Sequence, residues 1–406
     1  MEEEQHEIVI VGAGIAGLAT AVALKVVGLP CLVLERSPEL RAAGAALTLS
    51  SNAWRALEVL GVAHKLTPLY PAINRSTITD LSNGSVKVVP FSQNNSGDTG
   101  IRSVHRKGLL EALAEELQPG TIRFSSRIIS IDQNSSSSST TLHLDDGSVI
   151  KAKVVIGCDG VHSVVARWLG LSNPVHSGRS AIRGLAVLPE GHDIKDGVLQ
   201  YVGDGKRAGL APLNDKELYW YITHIADERE KDMTAEPALI MKEVTENLGK
   251  GLPPEFQTAL LNVDGATISW APLLFRVPWG ILLGRINRGG VAVAGDAMHP
   301  MTPEIGQGGC VALEDAVVLG RCLGQAKRSG GQFAAGVESY ARERRWRAAW
   351  VVAAAYLSGW VQQGGSEGVC RPVAKWFRRS IYYRYVHPWI VESIRGFDCG
   401  ELPAAE

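Results

Sequence analysis

Cysteine is scarce and widely spaced. Six cysteines, Cys31, Cys158, Cys310, Cys322, Cys370 and Cys399, are spread over 406 residues with no CxxC pair. That argues against a disulfide framework or a zinc ribbon and for free thiols in a reducing compartment. Neither sign of charge is in excess: 41 Lys and Arg stand against 42 Asp and Glu, a formal net charge of -1. There is no basic footprint for nucleic acid, so none is expected as a partner. Long apolar runs are also missing. The longest, Ala348–Trp360, includes Ser358 and is shorter than the ~18–20 residues a membrane span requires. The acidic start, MEEEQHEIVIVGAG, enters a strand at once. It predicts neither a signal nor a transit peptide, and hence a cytoplasmic location. No internal repeat is visible.

Glycine, by contrast, is abundant, with 44 residues, and much of it stands where strands end. Glu7–Val11 reads as a buried strand, followed by Gly12-Ala13-Gly14-Ile15-Ala16-Gly17 and an alanine-rich helix, Leu18–Val27. Gly28-Leu29-Pro30 breaks the helix, and a second strand, Cys31–Leu34, ends at Glu35. This is a dinucleotide fingerprint: Gly12 for the turn, Gly14 for approach of a pyrophosphate, Gly17 for helix–strand packing, Glu35 for a ribose. A second unit is Val291–Ala316. Strand Val291–Ala294 ends in Gly295-Asp296, a loop with Pro300 and Pro303 follows, and Gly306-Gln307-Gly308-Gly309 opens a helix over Cys310–Leu323. Glycines there admit a ligand to the backbone, and the helix start offers unpaired N–H groups to something electron-rich. A third unit, strand Val149–Ile156, ends in Gly157-Cys158-Asp159-Gly160 and precedes a short helix with Ser163 and Arg167.

Other stretches supply the surroundings. Thr77–Pro90 reads as a hairpin turning at Asn83-Gly84. Arg106 stands at the start of a helix, where it opposes the dipole, which predicts either an anionic or polar partner elsewhere or a solvated surface arginine. From Arg179 to about Gly284 the pattern alternates. Leu218–Thr223 puts Tyr219 and Tyr221 on one face and Trp220 and Ile222 on the other. Such a sheet either covers an apolar pocket or packs that face on its own core. Ala334–Gln363 reads as one long helix. Arg371–Trp389 carries five basic and six aromatic residues, suited to peripheral membrane contact or to a packed closing helix with snorkelling arginines.

The three strand-end units together resemble the single-component FAD-dependent aromatic hydroxylases, the para-hydroxybenzoate hydroxylase-like group A flavoprotein monooxygenases. The likeness covers roughly residues 5–365. The wording GDAMHPMTPEIGQGGCVALEDA is especially similar to plant zeaxanthin epoxidases and to the plant monooxygenase 1/2 relatives. The resemblance implies an α/β chain: a Rossmann-like FAD-binding domain of the GR2 type, an inserted mixed or antiparallel sheet domain for substrate, and C-terminal helices. The expected boundaries are 1–75, 101–178 and 285–330 for the FAD-binding segments, 76–100 and 179–284 for the substrate sheet, and 331–406 for the terminal helices. Gly12, Gly14, Ala16 and Gly17 would hold the FAD pyrophosphate, and Glu35 its ribose, with Arg36 and Arg41 as further contacts. Arg106 would lie near the ribityl and pyrophosphate region, and Asp159-Gly160 would serve FAD and NAD(P)H. Asp296 would accept from a ribityl hydroxyl, and Pro303, Gly306, Gly308 and Gly309 would line the flavin ring. Tyr219, Tyr221 and Pro303 would face the substrate.

The implied reaction is NAD(P)H- and O2-dependent hydroxylation of a small aromatic or other apolar plant metabolite through a flavin C4a-hydroperoxide. Epoxidation or Baeyer–Villiger-type oxygenation of an isoprenoid is the alternative. A non-catalytic, GDI-like dinucleotide-fold binder ranks below both. No metal is implied. His299 is the one candidate for proton transfer, with loop packing as its other reading.

Overall fold

The first strand runs Glu3–Val11, and its last four residues, Ile8–Val11, are buried on both faces. That is the mark of the middle of a parallel sheet. In this computed structural model, which describes residues 3–40, 45–91, 100–133, 139–203, 205–226, 236–362 and 378–404, Glu3–Val11 lies between Val149–Gly157 and Leu32–Leu34. Val291–Val293 adds in parallel beyond Val149–Gly157, and Ile122–Arg123 adds in parallel beyond Leu32–Leu34. Ile128–Asp132 and Thr140–Leu144 extend this sheet in antiparallel fashion. Helix Ile15–Val26 covers it together with helix Gly308–Arg328. The two helices approach closely: a Cβ on Gly320 would lie 2.7 Å from that of Ala23.

A second sheet has seven strands, ordered Ser269–Phe275, Val175–Val187, Glu217–Ile225, Lys206–Pro212, Gly197–Gly203, Arg75–Asp80 and Ser85–Pro90. All pairings are antiparallel except that of Gly197–Gly203 with Arg75–Asp80. The early hairpin therefore joins the later sheet. Alternation along Glu217–Ile225 separates two environments. Trp220 and Ile222 are fully buried in a core with Phe256, whereas Tyr219 and Tyr221 project from the opposite face. The Tyr219 and Tyr221 face borders a cavity, and it is the opposite face that packs on its own core.

The long helix spans Phe333–Gln362 and packs on Gly308–Arg328. Of the basic and aromatic segment, residues 371–377 lie outside the described residues. The rest forms helical turns, Arg378–Val386, and a helix, His387–Arg395. Ile390 and Ile394 of that helix are buried against Val311 and Val351, while Trp389 is exposed and stands edge-on to Trp350. Among the described residues no helix is long and apolar enough to cross a membrane.

Candidate cofactor and substrate site

Parallel pairing brings the three glycine-and-acid turns to one edge. Val11 stands opposite Gly157, and Gly157 opposite Val293, so the chain leaves all three strands at the same level. Ligands of such sheets sit beyond the carboxyl ends of the strands. Gly12 has φ +101°, and a Cβ on it would lie 2.6 Å from the Cys158 carbonyl oxygen. The Gly12 turn and the Cys158 turn therefore touch through backbone atoms. Gly17 supports the first from behind: its Cβ would fall 1.9 Å from the Gly12 carbonyl oxygen. Gly14 differs, since a Cβ there would meet no protein atom within 4 Å. It faces open space, in a single cavity of about 450 Å³.

The floor of this cavity includes Gly14 and Ala16 at the start of helix Ile15–Val26, Arg106, Gly160, Asp296, and Pro303, Gly306, Gly308 and Gly309 before and at the start of helix Gly308–Arg328. Tyr219, Tyr221 and Thr223 form a roof with Arg183 and Arg207 from neighbouring strands. The two tyrosine rings are 6.0 Å apart, and the Arg207 guanidinium lies 5.5 Å from the Tyr221 ring. Gly209 makes room for that ring, for a Cβ there would stand 2.6 Å from it. Burial raises the Tyr219 hydroxyl pKa, against the opposing influence of Arg183 and Arg207. The phenol therefore stays neutral near pH 7 and is able to donate. The roof is thus more polar than the apolar pocket expected from alternation.

Other candidates are not among the residues that line the cavity. Glu35 accepts from the Ala13 N–H at 2.8 Å and the Ser37 N–H at 2.9 Å, tying the second strand's tip to the glycine turn. Asp159 accepts from the Ser163 hydroxyl at 2.5 Å and the Val164 N–H at 2.6 Å. It holds the start of the short helix Val164–Trp168. Burial raises its pKa, opposed by those hydrogen bonds. Arg36 is exposed and not among the cavity's lining residues, and Arg41 lies outside the described residues. His299 is fully buried and does not line the cavity. Its Nε2 lies 2.6 Å from Asp315 Oδ2, an arrangement that packs the loop.

That contact belongs to a buried cluster not anticipated from sequence. Asp315 also accepts from the Gly295 N–H at 2.9 Å and from Arg344 Nε at 2.7 Å. The adjacent Glu314 accepts from Arg344 and Arg347, each at 2.7 Å, and from Asn52 at 2.6 Å. Asn52 reaches the Gln307 side chain at 3.0 Å, which in turn reaches Ser50 at 3.2 Å. Burial alone would raise the Asp315 pKa. The charges of His299 and Arg344, with the hydrogen bonds from His299 and Gly295, hold it down at about 2. The cluster fastens the strand tip that carries Asp296 and the turn that carries Gly308 to two helices at once. The available signal was a pair of acids inside an apolar helix, with arginines repeated in the next one.

The family model described as FAD binding domain matches residues 5–355. Monooxygenase 2 of Arabidopsis thaliana is 40% identical, over 99% of this chain and 100% of its own. Monooxygenase 1 of the same plant is 37% identical, over 88% of this chain and 90% of its own. The chain belongs to the FAD-dependent monooxygenase family. This flavoprotein's fold matches that of Klebsiella pneumoniae HpxO, solved with FAD and uric acid, with a TM-score of 0.81, 24% identity, and coverage of 97% of this chain and 98% of that one. FAD is the cofactor of the family. The site's residues suit it: two helix starts with unpaired N–H groups open on one cavity beside Arg106, and Gly14 leaves the approach clear. The flavoprotein's terminal helix, His387–Arg395, lies beyond the matched residues and still contributes His387, Val391 and Arg395 to the cavity wall.

Proposed function

We propose that this protein uses NAD(P)H and O2 to hydroxylate a small planar aromatic compound. The observation that carries the reading is the single cavity joining the three strand ends to the Tyr219–Tyr221 roof. Gly14 and Ala16, at a helix start, would hold the pyrophosphate. Asp296, exposed at the third strand's tip, would accept from a ribityl hydroxyl. The N–H groups of Gly308 and Gly309 would donate to the ring's carbonyl edge, where preorganised donors have their largest effect. When bound, FAD supplies the redox and oxygen chemistry. The chain's part is to orient the ring against Pro303, to place the substrate beneath the two tyrosines and to keep water out. The neutral Tyr219 hydroxyl is placed to donate a hydrogen bond to a substrate oxygen. The described cysteines, Cys31, Cys158, Cys310, Cys322 and Cys399, are all free thiols, in keeping with a reducing compartment such as the cytoplasm.

Purified protein should carry FAD and oxidise NADPH or NADH faster when an aromatic substrate is added, with one ¹⁸O from labelled O2 in the product. Asp296→Ala should weaken FAD binding by roughly tenfold to a hundredfold, the value of a hydrogen bond to a charged group. Flavin-free protein that Asp296→Ala leaves unchanged would remove this reading.

A further inference from the structure

We propose that the terminal helix gives this enzyme an anion-binding residue, Arg395, that selects substrates carrying a carboxylate. The inference rests on the flavoprotein reading above and concerns the substrate end of the same cavity.

Residues 387, 391 and 395 repeat every four positions, so they share one face of helix His387–Arg395. That face lines the cavity, while Ile390 and Ile394 turn into the core. The backbone at the helix end is fastened without help from the Arg395 side chain. The Arg395 carbonyl accepts from Arg55 and from the Ser51 hydroxyl, the Ile394 carbonyl accepts from Arg347 at 2.7 Å, and the Phe397 carbonyl accepts from Arg55 at 2.9 Å. The helix thus presents the guanidinium of Arg395 from a fixed base.

Among the described residues the guanidinium itself has an aromatic contact and no counter-ion. It lies 4.6 Å from the Phe91 ring, and among the described residues none accepts a hydrogen bond from it. Its Nε is buried without a partner. Leaving such a cation uncompensated is costly, and here burial draws its pKa down to about 10. The neighbours do not neutralise it. His387 is driven to about 3 by burial and by the charges of Arg207, Arg395 and Lys87, so it is neutral in use. Glu304, the carboxylate on the cavity's loop, is ion-paired with Arg179. An entering carboxylate would therefore meet a desolvated arginine whose planar fork matches it in two hydrogen bonds.

The test uses FAD-loaded wild-type protein, Arg395→Met and Arg395→Lys. Benzoate, cinnamate and 2-naphthoate are each titrated against the corresponding amide, following the change in flavin absorbance. Wild type should bind at least one acid about tenfold or more tightly than its amide. Arg395→Met should abolish that preference without changing FAD affinity or amide binding, and Arg395→Lys should keep part of it. The inference is overturned if wild type shows no preference, if Arg395→Met retains it, or if Arg395→Met loses FAD rather than acid selectivity. Wild-type protein that takes up no flavin would instead overturn the proposed function, and this inference with it.

Discussion

Arg344→Met is expected to lower stability by about 3–5 kcal/mol, the cost of breaking a buried charge network from one side. Arg344 is fully buried and bridges Asp315 and Glu314, each at 2.7 Å. Methionine fills similar space and leaves two buried carboxylates short of a cation. For a chain of this length that corresponds to a fall of about 5 °C in Tm, measurable by calorimetry on the flavin-loaded protein. Arg344→Lys should recover only part of it, because one ammonium does not reproduce the fork that reaches both acids. The same cluster sets the acid limit. Asp315 sits at about 2 in the folded protein against an ordinary value of 3.8. Its contribution, about 2 kcal/mol, is present above pH 4 and is lost as pH falls from about 4 to 2. Without Arg344 the Asp315 pKa rises, so acid unfolding should begin at higher pH. A melting temperature within a degree of wild type, together with an unmoved acid transition, would show that the cluster does not hold the site.

Gly17→Ala and Gly14→Ala, the same chemical change three residues apart, should give opposite results. At Gly17 the added Cβ would lie 1.9 Å from the Gly12 carbonyl oxygen. Gly12 has little room to yield: its N–H donates to the Leu34 carbonyl at 2.7 Å, and it abuts the Cys158 backbone. Helix Ile15–Val26 would have to lift off the sheet, so no soluble, flavin-loaded protein is expected. At Gly14 the Cβ enters the cavity and meets no protein atom within 4 Å. The apoprotein should melt as wild type does, while FAD affinity falls by roughly tenfold, about 1.4 kcal/mol. Flavin absorbance per protein and a melting curve of each apoprotein read both outcomes. If Gly14→Ala binds FAD normally, the pyrophosphate does not lie where the glycine turn opens.

What could be read in advance follows the range of the interactions concerned. The strand–glycine–acid units are local, each set within a few residues by apolar runs and turn glycines. The long helix was expected at 334–363 and is found at Phe333–Gln362, because the stretch is rich in alanine and other strong helix formers and holds no proline. The facing of Tyr219 and Tyr221 followed from alternation alone. The pairing of Ala46–Leu49 with Arg102–His105 was not anticipated. Both segments are only four residues long, and their partners are more than fifty residues apart in the chain. Glu35 and Asp159 are expected at the ligand, and both carboxylates also accept from N–H groups of the chain. A carboxylate at a strand tip serves either purpose, and a linear pattern does not distinguish them.

Residue order placed the three turns, which are written in short-range spacing and side-chain type, and the resemblance those turns carry pointed to the family and its flavin. Only packing in three dimensions decided which groups face the cavity. Parallel register set the three turns level, ion pairs drew Asp315, Glu314 and Arg344 into the interior, and helix His387–Arg395 folded back to wall the cavity. Those choices depend on contacts between segments tens to hundreds of residues apart, where burial and hydrogen-bond satisfaction are settled jointly and no local pattern carries the answer.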